Sequence, residues 1–137
     1  VNQEMKSIDV IERKPSLEEY IQLRKSIGWK VMQYDAIQTG LDNSIYCVCV
    51  EDQGNIVGCG RIIGDGGTVF YIQDIMVKPS YQEQKIGTLI MEKIMDYIDS
   101  NCKEGAIIGL IAISELDKFY KKFGFIYNEN NRFYRYR

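Results

Sequence analysis

The sequence predicts a mixed α+β fold: a mostly antiparallel sheet flanked by helices. Three observations carry that reading. First, three β-forming runs between Ser44 and Val77 are separated by tight turns, the pattern of an antiparallel meander. Second, the last of these runs passes through a polar loop into a helical repeat, then into an apolar run from Ala106 to Ile113. That strand–helix–strand order favours parallel pairing of its two strands. Third, helix signals stand near both ends of the chain, at Ser16 and at Ser114. In all, about seven strands and about four helices are expected, in a single domain over residues 1–137.

Taken in order, Lys6 to Glu12 reads as a short first strand. Ser16 and Glu19 then form a capping box, in which the serine caps the helix and the glutamate reaches back. Leu17, Tyr20, Ile21, Arg24 and Ile27 give that helix its period, and Gly28 ends it. Trp29 to Gly40 is a second, weaker helical segment. Ser44 to Glu51 and Ile56 to Ile63 are strands joined by the turn Asp52-Gln53-Gly54-Asn55. Gly58 and Gly60 inside the second of them suggest a bulge or a close backbone approach. Thr68 to Val77 is the fourth strand, and a helix runs from Ile86 to about Asp99. Ala106 to Ile113 is an apolar, buried strand, followed by a short helix opened by Ser114. Two short strands close the chain around a turn at Asn128 to Asn131.

Composition excludes several classes of function. The chain of 137 residues is 45% hydrophobic and 26% charged, with a net charge of −2. That balance argues against nucleic acid as a main partner, because phosphate binding needs a basic face. The C-terminal Arg132, Arg135 and Arg137 alternate with aromatic residues and read as a final strand. No apolar run is long enough to span a bilayer and no signal-peptide core opens the chain, so no membrane partner and a cytoplasmic location are expected. The cysteines Cys47, Cys49, Cys59 and Cys102 form no C-x-x-C pair, and histidine is absent. A metal centre is therefore not expected, and the cysteines read as buried small hydrophobes. Without histidine, any general base must be a carboxylate, a tyrosine, a lysine or water.

The chain is organised around Tyr71 to Ile90. Ile72, Ile75 and Val77 make its first half a strand, and Pro79 stops it. Ile86, Leu89, Ile90, Ile94 and Ile98 recur at helical spacing. A strand that enters a helix through a polar loop makes an anion site, since the first N–H groups of the helix have no partner inside it.

The spacing Val77-x-Pro79 followed by Gln82-Glu83-Gln84-Lys85-Ile86-Gly87 resembles the acetyl-CoA loop of the GCN5-related N-acetyltransferases, the GNAT family. It departs at Lys85, where that family usually has glycine, and Glu83 adds a negative charge. A second motif, Phe119-Tyr120-Lys121-Lys122-Phe123-Gly124-Phe125, resembles the family's Phe-Tyr-x-Lys-x-Gly-Phe and follows at the expected distance. The resemblance implies a GNAT fold splayed between strands 4 and 5, with acetyl-CoA as cofactor and CoA as product. Backbone groups of Ile75, Met76 and Val77 would meet the pantetheine arm. N–H groups of Gln82, Glu83, Gln84, Lys85, Ile86, Gly87 and Thr88 would hold the pyrophosphate, with Phe119 and Lys122 beside the cofactor. A backbone N–H near Val77 would stabilise the oxyanion of the tetrahedral intermediate.

Tyr120 matches the tyrosine that protonates the departing thiolate in many members; the alternative is a packing aromatic. Asp74 is a candidate base, as an acid inside an apolar strand; the alternative is a pair with Arg61. Trp29, Tyr34 and Tyr134 are candidates for an aromatic substrate pocket. The implied function is transfer of acetyl to a small-molecule amine or peptide amine by direct attack, and an acidic protein would favour cationic amines. The alternative is a non-catalytic acyl-CoA-binding module on the same fold. A homodimer is left open.

Overall fold

The computed structural model describes residues 7–112 and 114–128 of the chain. Five strands form one sheet in the order β1-β2-β3-β4-β5: β1 (Ile8–Ile11), β2 (Tyr46–Asp52), β3 (Asn55–Gly64), β4 (Val69–Val77) and β5 (Ile107–Gly109). The first four pair antiparallel, and β5 joins β4 in parallel. Four helices complete the fold: α1 (Leu17–Ser26), α2 (Tyr34–Asp42), α3 (Ile86–Asn101) and α4 (Asp117–Lys121). The mixed class and the order of elements agree with the sequence reading; the strand count among the described residues is five rather than seven. Phe125 to Asn128 is irregular rather than the start of a sixth strand, and Arg132, Tyr134, Arg135 and Arg137 lie outside the described residues. Among the described residues no helix is long and apolar enough to cross a membrane.

The capping box at α1 forms as the sequence indicates. The Glu19 N–H donates to Ser16 Oγ at 3.2 Å, and the Ser16 N–H donates to Glu19 Oε1 at 2.8 Å. Gly28, at φ +77°, then turns the chain out of the helix. The second helix starts later than expected, at Tyr34. Only Ile37 and Leu41, one turn apart, are buried in it; between Gly28 and Tyr34 only Val31 packs against the same cluster, too little to give a helical turn a buried face.

Two apolar clusters sandwich the sheet. On one face α3 buries Ile86, Ile90, Met91, Ile94 and Ile98 against Val48, Val50, Ile62, Phe70 and Ile72. Each fully buried side chain of this size contributes about 1.5–3 kcal/mol relative to exposure. On the other face Tyr20, Ile21 and Leu23 of α1 and Ile37 and Leu41 of α2 cover Cys49, Cys59 and Met76. The close approach suggested at Gly60 is real. A methyl group there would fall 2.6 Å from Ile75 Cδ1 and from Ile90 Cγ2, so glycine lets α3 settle onto the sheet.

One strand differs from expectation in its setting. The apolar run Ala106–Ile113 reads as buried, yet among its described residues only Ile107–Gly109 is strand, and Ile107 and Ile111 are 65% and 60% exposed. The physical reason is position: β5 has a strand neighbour on one side only among the described residues.

Candidate functional site

Strand β4 builds the site because its two halves behave differently. Val69, Phe70 and Tyr71 pair with Ile107, Ile108 and Gly109 of β5. Beyond Tyr71 the two strands part, and Ile72 to Val77 has β3 as its one strand neighbour among the described residues. The splay expected between strands 4 and 5 is therefore present, and it leaves an open main-chain edge.

A bulge sits in that open half. Arg61 is opposite Gln73 and Cys59 is opposite Met76, so Asp74 and Ile75 together face Gly60. Asp74 takes φ +57°, a left-handed conformation that aspartate tolerates better than most residues. The extra residue switches the faces of the strand. Phe70 and Ile72 point to the α3 cluster before it, Ile75 and Val77 pack there after it, and Met76 joins the α1/α2 cluster.

The left-handed turn sends the Asp74 side chain to α1, where it is buried. Tyr20 Oη donates to Oδ2 at 2.5 Å, Arg61 Nε to Oδ2 at 2.8 Å, Arg24 Nη1 to Oδ1 at 3.1 Å and Gln73 Nε2 to Oδ1 at 3.4 Å. Burial, followed by the charge of Asp74, pushes the Tyr20 hydroxyl up to about 12. For the candidate base, acting directly or through water, the setting is this: both carboxylate oxygens are engaged and the side chain is 1% exposed. The pair with Arg61, the alternative noted from sequence, is the arrangement found. Sequence reasoning missed Tyr20 and Arg24. The available signal was an arginine at an apolar position of the α1 repeat, one turn after a tyrosine.

The loop after β4 carries the second part of the site. A 3-10 turn, Pro79–Tyr81, leads into Gln82 to Lys85. Glu83 and Lys85 are both left-handed, at φ +69° and +63°. Lysine thus adopts the conformation that glycine would favour at this position. Among the described residues, the N–H groups of Glu83, Lys85, Ile86, Gly87 and Thr88 donate no hydrogen bond, and the first helical bond runs from the Leu89 N–H to the Lys85 carbonyl. Left-handed residues that turn successive N–H groups outward at a helix N-terminus make an anion-binding concavity.

The remaining loop atoms are placed as follows. Gln82 Nε2 donates to the Val77 carbonyl at 3.1 Å, and Gln84 Nε2 to the Ser80 carbonyl at 3.4 Å. Gln84 Oε1 is buried with no hydrogen-bond partner among the described residues. The N–H cradle fits a polyanionic cofactor; Gln84 Oε1, an acceptor, offers such a group nothing. The Ile86 and Met76 side chains are in the core, so only their main chains are available to one.

The Phe-Tyr motif closes on this loop. A methyl built on Gly87 would lie 3.5 Å from the Phe119 ring, which places α4 against the N-terminus of α3. Tyr120 is buried and packs edge-on to Phe119 at 4.9 Å and to Phe125 at 6.4 Å. Burial raises its hydroxyl above the usual tyrosine range, so the phenol keeps its proton at neutral pH. Among the described residues that hydroxyl makes no hydrogen bond. Lys122 is exposed at the end of α4.

The aromatic pocket residues are only partly brought together. Trp29 is 43% exposed and its ring lies 5.3 Å from Arg24 Cζ, which ties it to the Asp74 cluster. Tyr34 is 54% exposed on the first turn of α2, away from that cluster's contacts. Tyr134 lies outside the described residues.

Comparison with known proteins agrees with this geometry. The family model for the acetyltransferase (GNAT) domain matches residues 42–127. Protein SA2161 of meticillin-resistant Staphylococcus aureus, of unknown function and named a probable acetyltransferase, is 42% identical. The match covers 94% of this chain and 97% of that one, with a TM-score of 0.87. The uncharacterized N-acetyltransferase ycf52 of Pyropia yezoensis is 27% identical over 115 residues, covering 81% of this chain. The chain spans 65% of the length of that curated relative. The aminoglycoside N-acetyltransferase AAC(6')-Iy in complex with CoA shares the fold at 19% identity and a TM-score of 0.69, with 95% of each chain covered.

Proposed function

Since the chain belongs to the GNAT acetyltransferase family, we propose that it moves an acetyl group from acetyl-CoA to a primary amine by direct transfer. The observation that carries this reading is the row of undonated N–H groups at Glu83, Lys85, Ile86, Gly87 and Thr88. These groups would hold the pyrophosphate. The family position of Lys85 is no obstacle, because its backbone already takes the left-handed form. The open edge of β4 from Ile75 to Val77 would accept the pantetheine arm as an added strand would. When bound, acetyl-CoA supplies an activated acyl group whose carbonyl carbon bonds to the amine nitrogen as the C–S bond breaks.

The chain's own residues then have defined tasks. A β4 N–H beside the bulge stabilises negative charge on the carbonyl oxygen. Tyr120 gives its proton to the departing sulfur, for which a buried, protonated phenol is suited. With the Asp74 carboxylate fully engaged, the proton of the attacking amine passes to water.

A thiol-release assay with Tyr120→Phe tests this. Loss of a general acid lowers kcat by at least about 100-fold, with CoA affinity kept. Because burial raises the Tyr120 hydroxyl above its ordinary value of 10.0, the alkaline fall of wild-type kcat should lie above pH 10 and vanish in the variant. Equal kcat for the two proteins would remove Tyr120 from the chemistry, whereas CoA binding with no thiol release by the wild type would favour the non-catalytic acyl-CoA-binding alternative.

A further inference from the structure

The cluster at Asp74 does not balance. One carboxylate faces two guanidinium groups, and the Arg24 and Arg61 side chains are only 11% and 13% exposed. Tyr20 supplies no second negative charge, since it donates to Asp74 and holds its proton. Among the described residues no other carboxylate pairs with either arginine. A largely desolvated excess positive charge is costly unless an anion meets it.

The donors already engaged leave one nitrogen of each arginine open. Arg24 Nε donates to the Lys30 carbonyl at 2.7 Å, and its Nη1 to Asp74 and to Tyr20 Oη. Arg61 Nε donates to Asp74, and its Nη1 to the Gly40 carbonyl and Ser44 Oγ, both at 3.1 Å. The Nη2 atom of each arginine donates nothing among the described residues, and neither is sealed from solvent. Beside them the Trp29 ring stands half-exposed, 5.3 Å from Arg24 Cζ. Asp74 is also the residue just before Ile75, where the proposed function puts the pantetheine arm. A group bound at these arginines would therefore belong to the molecule whose amine attacks there.

We propose that the acceptor is a small primary amine that itself carries a carboxylate or phosphate, held by Nη2 of Arg24 and Arg61 beside Trp29. This rests on the acetyltransferase reading and replaces the expectation of a cationic acceptor drawn from net charge. A chain-wide charge of −2 is screened beyond roughly 8 Å at physiological salt. A guanidinium in hydrogen-bond contact is not, and guanidinium groups pair with both kinds of anion.

The test uses Trp29, the only tryptophan. Its fluorescence is followed as inorganic phosphate is added, against chloride at matched ionic strength. A saturable, phosphate-specific change is expected, and Arg24→Gln should abolish it. That variant leaves Arg61 paired with Asp74, and circular dichroism and thermal melting establish that it is folded at the titration temperature. Independently of any variant, phosphoethanolamine and ethanolamine are compared as acceptors in the thiol-release assay, where the phosphate should lower KM at least about tenfold. Equal responses to phosphate and chloride, or equal KM for the two amines, would overturn the proposal. Saturable, Arg24-dependent binding with no turnover of any amine would sink the transfer reading and leave the anion subsite standing.

Discussion

Asp74 and Lys85 lie eleven residues apart on the same strand–loop–helix stretch, and both are non-glycine residues in the left-handed region, at φ +57° and +63°. Their side chains could hardly differ more. The Lys85 side chain is exposed and caps nothing. Asp74 is buried and accepts from Tyr20, Arg24, Arg61 and Gln73. At Lys85 the backbone conformation serves the site, and the side chain is incidental. At Asp74 the side chain holds the conformation, and the bulge follows from it. An unusual backbone angle therefore marks both places, but only one of them depends on residue identity.

The largest effect should come from Asp74→Ala, which leaves two buried guanidinium groups uncompensated. Losing one partner of a buried ion pair costs about 3–5 kcal/mol, read by urea denaturation. Asp74→Asn sharpens the point, because asparagine tolerates the left-handed angle but carries no charge. If charge holds the bulge, most of the loss remains; if backbone tolerance holds it, Asn is close to wild type. Tyr20→Phe comes next, at about 1.5–3 kcal/mol for a hydrogen bond to a charged group.

The same tyrosine has a pH signature. Its hydroxyl is pushed up to about 12 from an ordinary 10.0. The stability it contributes is complete below pH 10 and is lost as pH rises through about 12. Tyr20→Phe should flatten that part of the stability profile.

Lys85→Gly should act in the opposite direction. Relief of a left-handed side chain is worth about 1 kcal/mol, with acetyl-CoA affinity unchanged or tighter. A large loss of affinity would mean that the lysine side chain itself grips phosphate, and the contrast with Asp74 would break. Gly87→Ala should be the mildest, within about 0.5 kcal/mol, because the added methyl meets Phe119 at an ordinary 3.5 Å. Thermal melting separates it from wild type only if that packing is tighter than it looks.

Much of the fold was legible because local chemistry decides it. The capping box at Ser16 and Glu19, the hairpin turn at Gly54 and the repeat of α3 each depend on neighbours in sequence. The polar loop before α3 and the Phe-Tyr motif stood out for the same reason, each being a run of neighbours in sequence. The Asp74 cluster did not, because its partners come from α1 and β3 and no local rule pairs them. A trace of it was present all the same. Phe70 and Ile72 are followed by Ile75 and Val77, and the step of three in a period of two is what a one-residue bulge leaves behind. The exposure of Ile107 and Ile111 was hidden in an apolar run, since composition cannot tell an edge strand from a central one.

The central claim is that the main chain from Glu83 to Thr88 holds acetyl-CoA with lysine at position 85. Isothermal titration of the protein with acetyl-CoA tests it most directly, with Lys85→Gly alongside. Saturable one-to-one binding to both proteins is the predicted result. No binding at millimolar acetyl-CoA would contradict it, and the loop would then be a strand–helix connection with no cofactor to carry.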